Sequence, residues 1–271
     1  MGKIISFTNQ KGGVGKTTTC VNMATYLAAF GKKVLLVDLD PQGNATTGVG
    51  IDKSEELKTM YDVCLGECEI VESILPTKIK GLSIIPSNVD LAGAEVDLVQ
   101  KENREKIMRN ALHTVKDKFD YILMDCPPSL GLITVNALTA TDSVMIPIQC
   151  QFYALEGLSQ LMNTVKLVRQ YLNSDIQIEG VILTMKDNRS NLSTQVAQEV
   201  TGFFGDKVYK VIIPTNIRLA EAPSHGLPIY LYDSKSTGGV AYQDLTKEFL
   251  SRNKDKGVLR DKREIFEGGI I

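Results

Sequence analysis

The sequence predicts a doubly wound α/β fold, a mostly parallel sheet flanked by helices. Three observations carry that expectation. Apolar runs such as VLLVD at 34–38 and YILMD at 121–125 are nearly continuous rather than alternating, as strands covered on both faces must be. Longer amphipathic stretches separate these runs at a spacing that suits βαβ units. A glycine-rich turn, KGGVGKTT at 11–18, joins the first strand to the first helix.

Taken in chain order, strands are expected at 4–8, 34–38, 82–86, 121–125, 143–147, 180–184 and 208–213. Helices are expected at 16–30, 102–118, 130–140, 154–172, 192–204 and 238–253. No internal repeat and no Pro- or Ser-rich linker divides the chain, so residues 1–253 read as one domain. Residues 254–271 mix charges with Gly257, Gly268 and Gly269 and read as a flexible tail.

Composition removes several classes. At 271 residues with 43% apolar and 23% charged side chains, the chain can bury a substantial core without disulfide or metal staples. Thirty basic residues against 32 acidic ones give a net charge of −2, which excludes a histone-like polycation but leaves room for a local basic face. The five cysteines (Cys20, Cys64, Cys68, Cys126 and Cys150) are odd in number and scattered. That usage indicates a reducing cytoplasm rather than a disulfide framework. Cys64 and Cys68 have no second Cys pair, and only His113 and His225 could complete a ligand set, so structural zinc is disfavoured. No apolar run nears the roughly 20 residues of a membrane span, and no secretory leader precedes the first strand. A cytoplasmic location is expected.

The segment 11–18 is the most informative. Gly12, Gly13 and Gly15 let consecutive backbone N–H groups curl around anionic phosphates, and Val14 lies within that curl. The helix starting at Lys16 turns its positive end toward the same place. Lys16 supplies a charge to the β/γ-phosphates, the Thr17 hydroxyl suits Mg²⁺, and Thr18 continues the helix's first turn. The general pattern G-x-x-x-x-G-K-[ST] would put glycine at position 10; this chain has Gln10 there and an extra lysine, Lys11.

Two further segments end strands with carboxylates. VLLVD runs into Asp38-Leu39-Asp40, and YILMD delivers Asp125. Ligands in doubly wound sheets sit at the carboxyl ends of strands, so these pieces converge on one edge. Asp125 fits a holder of Mg²⁺-bound water, and Asp38 and Asp40 fit metal-water ordering and orientation of the attacking water. A lone Asp after a strand is more often a cap, and that alternative stays open for Asp38.

KGGVGKTTT, VDLDPQGNAT, DCPPSLG and NIRLAEAPSHGLP, in that order, resemble the deviant-Walker ATPases of the ParA/Soj family, relatives of MinD and of the nitrogenase iron protein. The resemblance covers about residues 1–252. It implies a P-loop NTPase fold, ATP and Mg²⁺ as cofactors, and ATP-dependent chromosome or plasmid partitioning. It further implies a homodimer that sandwiches two ATP molecules, with Lys11 reaching the partner's phosphates, Lys16 holding phosphates in cis, Thr17 binding Mg²⁺ and Asp40 positioning water. The adenine side maps onto Asp187, Pro214 and Asn216, although Pro214 ending a strand and Asn216 capping a turn is the plainer alternative. Basal hydrolysis is expected to be slow, because no cis arginine finger is evident.

The resemblance also implies non-specific binding of double-stranded DNA by the ATP dimer, through Arg189 and Arg218, with Lys186, Lys207, Lys210 and Lys235 extending the face. Charge alone gives no such signal, since residues 186–252 carry eight basic against seven acidic side chains. A ParB-like centromere-binding partner and association with the nucleoid are implied in the same way. The chain starts at the sheet, with no helix-turn-helix segment for reading sequence. A MinD-like membrane-associated positioning ATPase is the rival, but Asp261, Glu264 and Glu267 disfavour an anionic lipid surface. Cys126 and Cys150 lack the flanking pattern of a metal-cluster ligand pair.

Overall fold

A computed structural model describes residues 2–54, 56–151, 156–187 and 190–267, with the side chain of Glu156 outside that description. Seven strands form one sheet: β1 (Lys3–Phe7), β2 (Val34–Asp38), β3 (Leu75–Pro76), β4 (Leu82–Ile85), β5 (Tyr121–Asp125), β6 (Ser143–Gln149) and β7 (Gln177–Thr184). Their order is β3-β4-β2-β5-β1-β6-β7. All pairs are parallel except β3 with β4. β3 is the one strand absent from the sequence reading: two residues long, with a proline, it has neither the length nor the pattern to announce itself.

Period-two alternation divides the core between the two faces. Val34 and Leu36 of β2, with Leu123 of β5, pack beneath helices Lys16–Ala29 and Thr237–Arg252. Leu35 and Val37, with Ile122 and Met124, pack on the other face with helices Met60–Leu65, Ile107–Val115 and Leu132–Ala140. On that same face, toward the β7 edge, Val144, Ile146 and Leu183 meet helices Glu156–Tyr171 and Asn191–Phe204. Helix Lys16–Ala29 is buried almost all round because helix Thr237–Arg252 covers its outer side. The Tyr26 hydroxyl donates to the Gly239 carbonyl at 2.7 Å, and the Thr19 and Tyr242 hydroxyls share a hydrogen bond of 3.1 Å.

Three expectations require correction. Residues 208–213 do not form a strand. Tyr209 N–H donates to the Val181 carbonyl and Ile213 N–H to the Leu183 carbonyl, so the segment runs beside β7. Between them the Glu248 carboxylate accepts the Lys210 and Val211 N–H groups at 2.9 and 3.0 Å, which leaves only isolated bridges. The helix expected over 102–118 is α-helical only at Ile107–Val115, after Asn103 turns left-handed at φ 51°.

The third correction concerns the expected tail. Residues 254–267 form a strap packed along the molecule. Arg260 N–H donates to the Ala29 carbonyl, Lys80 N–H to the Ile265 carbonyl and Glu267 N–H to the Lys78 carbonyl. Asp255 pairs with Lys32 and accepts the Tyr121 hydroxyl, and Ile265 is 0% exposed. Few apolar residues carry this docking, which is why composition pointed to disorder. Ile265→Ala is therefore expected to cost about 2 kcal/mol or more of stability, measured by urea unfolding. An unchanged midpoint would show the strap to be loosely held.

Candidate functional site: a phosphate-binding edge

Register places the site. Phe7 of β1 and Asp38 of β2 both pair with Asp125 of β5, so three adjacent parallel strands end on one level. The glycine loop follows β1 directly and is tied down from both sides. Asn9 accepts the Lys11 N–H at 3.0 Å and donates to the Pro147 carbonyl at 2.8 Å, while the Thr184 hydroxyl donates to the Val14 carbonyl at 2.8 Å.

Within the loop, Gly13 and Gly15 adopt φ of 73° and 86°, a left-handed conformation that a side chain would strain. Among the described residues a Cβ at Gly12 or Gly13 would meet nothing within 4 Å, which leaves room at the loop for a ligand. Gly15 begins helix Lys16–Ala29 without any side-chain cap, which leaves the first N–H groups of the helix for a ligand.

Lys16 is only 6% exposed, and its ammonium donates to the Lys11 carbonyl at 3.1 Å. Burial lowers its pKa, opposed by the nearby carboxylates of Asp125 and Asp40. Lys11, half-buried, lies at the rim of the loop, and Thr17 and Thr18 are half-buried in the first helical turn.

The three carboxylates differ. Asp125 is 0% exposed, and neither of its oxygens has a full hydrogen bond. The Thr17 hydroxyl lies close enough to favour its charged form, but burial and the neighbouring Asp38 dominate and push its pKa well above the usual carboxylate range. Asp38, equally buried, is fully engaged. One oxygen accepts the Asp40 N–H at 3.1 Å, and the other accepts both the N–H and the hydroxyl of Thr46 at 2.8 Å. Burial raises its pKa in spite of those donors. Asp40 is half-buried and accepts the Gln42 N–H at 3.0 Å.

A buried, orphaned carboxylate beside a threonine hydroxyl is an arrangement that a hydrated divalent cation completes. The open glycine cradle and the uncapped helix end suit a polyphosphate. The chain's own residues thus fit ATP with Mg²⁺.

The expected adenine-side residues are partly brought together. A bridge between Lys186 and Pro214 sets Asp187 beside Pro214. Asn216 caps helix Ile217–Glu221 through the Leu219 N–H and donates to the Thr237 hydroxyl at 2.7 Å, the plainer of its two roles. Arg218 lies on helix Ile217–Glu221. Its side chain is half exposed and pairs with Glu221 at 2.9 Å and Asp233 at 3.7 Å, and the Glu221 bond raises its pKa. Arg189 lies outside the described residues.

Sequence reasoning passed over four residues. Asn9 and Thr184 hold the loop; Thr46 holds Asp38. Met185, left-handed at φ 50°, sets its methyl 3.7 Å from where a Gly15 Cβ would lie. The available signal was a polar residue ending an apolar run, as in GVILT.

In the nucleotide-free protein, Asp125 keeps its proton to a higher pH when folded than when unfolded. It therefore costs stability progressively as pH rises above about 4. Asp125→Asn should match the wild type near pH 4 and exceed it at pH 7 by about 1–3 kcal/mol in urea unfolding. Mg²⁺-dependent nucleotide binding should fall in the same variant. A stability gap that does not widen with pH counts against the buried charge.

A family model described as an AAA domain matches residues 2–178. The chain is 58% identical over 248 residues to the sporulation initiation inhibitor protein Soj of Bacillus subtilis, covering 92% of this chain and 98% of that protein. It is 50% identical over 256 residues to the chromosome partitioning protein ParA of Caulobacter vibrioides, covering 94% and 96%. Among solved structures, cobyrinic acid a,c-diamide synthase from Mycobacterium smegmatis with a bound ATP analogue and magnesium matches with a TM-score of 0.83 and 34% identity over 94% of this chain and 96% of that one. The septum site-determining protein MinD of Pyrococcus horikoshii with Mg-ADP matches at 0.76 and 27% identity over 92% and 96%. With register-matched carboxylates around a glycine loop and these relatives along most of its length, the chain belongs to the ParA/Soj family of partitioning proteins.

Proposed function

We propose that this protein is an ATP-dependent chromosome or plasmid partitioning ATPase that works as a nucleotide-sandwich homodimer. One observation carries the reading: two lysines, Lys11 and Lys16, share the open glycine loop on which Asp38, Asp40 and Asp125 converge. A single phosphate-binding lysine serves an ordinary nucleotide site. The second, at the rim, supports service to a nucleotide held mainly by another protomer.

The backbone N–H groups of Gly12 to Thr18 cradle the phosphates, and Lys16 neutralises them from within the same chain. Thr17 and Asp125 would hold Mg²⁺ and its water, and the ion would supply neutralisation of charge developing on the phosphates. Asp40 orients the attacking water. Asp187, Pro214 and Asn216 border the adenine. Because Lys11 makes ATP part of the interface, nucleotide state controls association. Turnover by the chain alone is slow, and a ParB-like partner accelerates it. We further assign the ATPase domain to residues 1–253, with the strap accessory to it.

The dimer binds double-stranded DNA without sequence preference through Arg218 and Arg189, which places it on the nucleoid. Pairing two protomers doubles each weak phosphate contact. The MinD-like alternative finds little support in the strap, whose Ile265 is buried and whose Phe266 packs, partly buried, against the core.

Lys11→Ala should keep ATP binding and lose both ATP-dependent dimerisation and hydrolysis in sedimentation and phosphate-release assays. A variant that still dimerises with ATP rules out the trans role. Affinity of the ATP form for plain duplex DNA should fall steeply with salt, and Arg218→Ala should lower the log–log slope by about one per protomer. A slope that the substitution leaves unaltered removes Arg218 from the interface.

A further inference from the structure

We propose that Thr46 is a positioning residue for ATP hydrolysis, acting through Asp38 to fix the loop that carries Asp40. The inference rests on the ATPase reading above and adds to it a residue that reading does not use. Thr46 is fully buried. Its N–H and its hydroxyl both donate to the same Asp38 oxygen at 2.8 Å, and its hydroxyl oxygen accepts the Ser87 N–H at 3.0 Å. Only a hydroxyl donates and accepts at once in this way, so the requirement is chemical and not one of volume.

The other Asp38 oxygen accepts the Asp40 N–H at 3.1 Å. A continuous chain of bonds therefore runs from Ser87, just past β4, through Thr46 and Asp38 to the backbone of Asp40. The loop beyond has no slack. Gly43 N–H returns to the Asp40 carbonyl at 2.8 Å, and a Cβ on Gly43 would lie 2.8 Å from the Ser87 carbonyl oxygen. With three protein donors on its two oxygens, Asp38 anchors this loop. An attacking water must be held within a few tenths of an ångström, and Asp40 can do so only if its own backbone is fixed.

The test uses the full chain and measures ATP turnover beside nucleotide binding across a Mg²⁺ titration. Thr46→Val keeps the shape and removes the hydroxyl. It is expected to lower kcat about tenfold or more while KM and the Mg²⁺ requirement stay within about twofold. Thr46→Ser, which restores the hydroxyl, is expected to return kcat to within about twofold of wild type. Wild-type turnover in Thr46→Val overturns the proposal, as does a serine variant no better than valine, or a loss confined to nucleotide affinity. Should Thr46→Val fail to fold, Asp38→Asn carries the test. Reduced turnover with intact Mg²⁺-dependent nucleotide binding supports anchoring; retained turnover, or a raised Mg²⁺ requirement, overturns it. A wild-type chain that does not hydrolyse ATP overturns the ATPase reading itself, and the unmutated control reveals that case separately.

Discussion

Two carboxylates of like charge stand side by side in the interior, and the rest of the architecture is arranged around that conflict. Asp38 and Asp125 end neighbouring strands in direct register, both without solvent exposure. In a medium of low polarity neither ionises cheaply: burial raises the pKa of both, and Asp38 adds to the rise at Asp125. Nearby positive charge comes from Lys16, itself weakened as a cation by burial. Asp38 is relieved by three donors from its own loop, whereas among the described residues Asp125 has only the nearby Thr17 hydroxyl. The asymmetry reserves Asp125 for a ligand of opposite charge. A magnesium nucleotide would repay the cost of burial on binding, so affinity and stability are coupled at this edge.

The fold makes the juxtaposition unavoidable. Parallel strands in register bring their carboxyl ends to one side, and the first crossover sets a helix N-terminus beside them. Helix Lys16–Ala29 cannot shift to relieve the site, because it lies between the sheet and helix Thr237–Arg252. The strap adds to this constraint at the opposite end of the same helix, where Arg260 bonds to the Ala29 carbonyl. Gly257 packs there so closely that a Cβ would lie 2.5 Å from the Phe30 carbonyl oxygen. The helix that presents the phosphate loop is thus held along its whole length.

What was legible in the sequence follows from what local chemistry encodes. The continuous apolar strands and the glycine loop declare themselves because a sheet covered on both faces and a phosphate cradle each demand a narrow set of residues. Segment 208–213 misled because it is rich in β-branched and aromatic residues, as a strand would be; a distant carboxylate, Glu248, takes the N–H groups that a neighbouring strand would need. The strap misled because its docking rests on backbone bonds, the contacts of Asp255 and a few scattered apolar residues, which composition cannot weigh. The role of Thr46 was hidden for another reason. Its meaning lies in Asp38, eight residues earlier, and in a backbone N–H forty-one residues later, and no local pattern links the three.

The same loop touches the segment that bears Arg218. After Asp40 the chain enters helix Asn44–Gly48 and turns at Gly50, left-handed at φ 83°. There it meets Gly226, also left-handed, so closely that a Cβ on Gly226 would lie 3.3 Å from the Gly50 Cα. Gly226 closes the turn that follows helix Ile217–Glu221, the element holding Arg218. Two backbones with no side chain between them have little room to slide without moving each other. Arg218, for its part, is held between Glu221 and Asp233, so a DNA phosphate must compete with carboxylates already in place. Contacts of that kind are individually weak. In the proposed dimer they count twice. A net charge of −2 suits such a binder, since release depends on each contact remaining easy to lose.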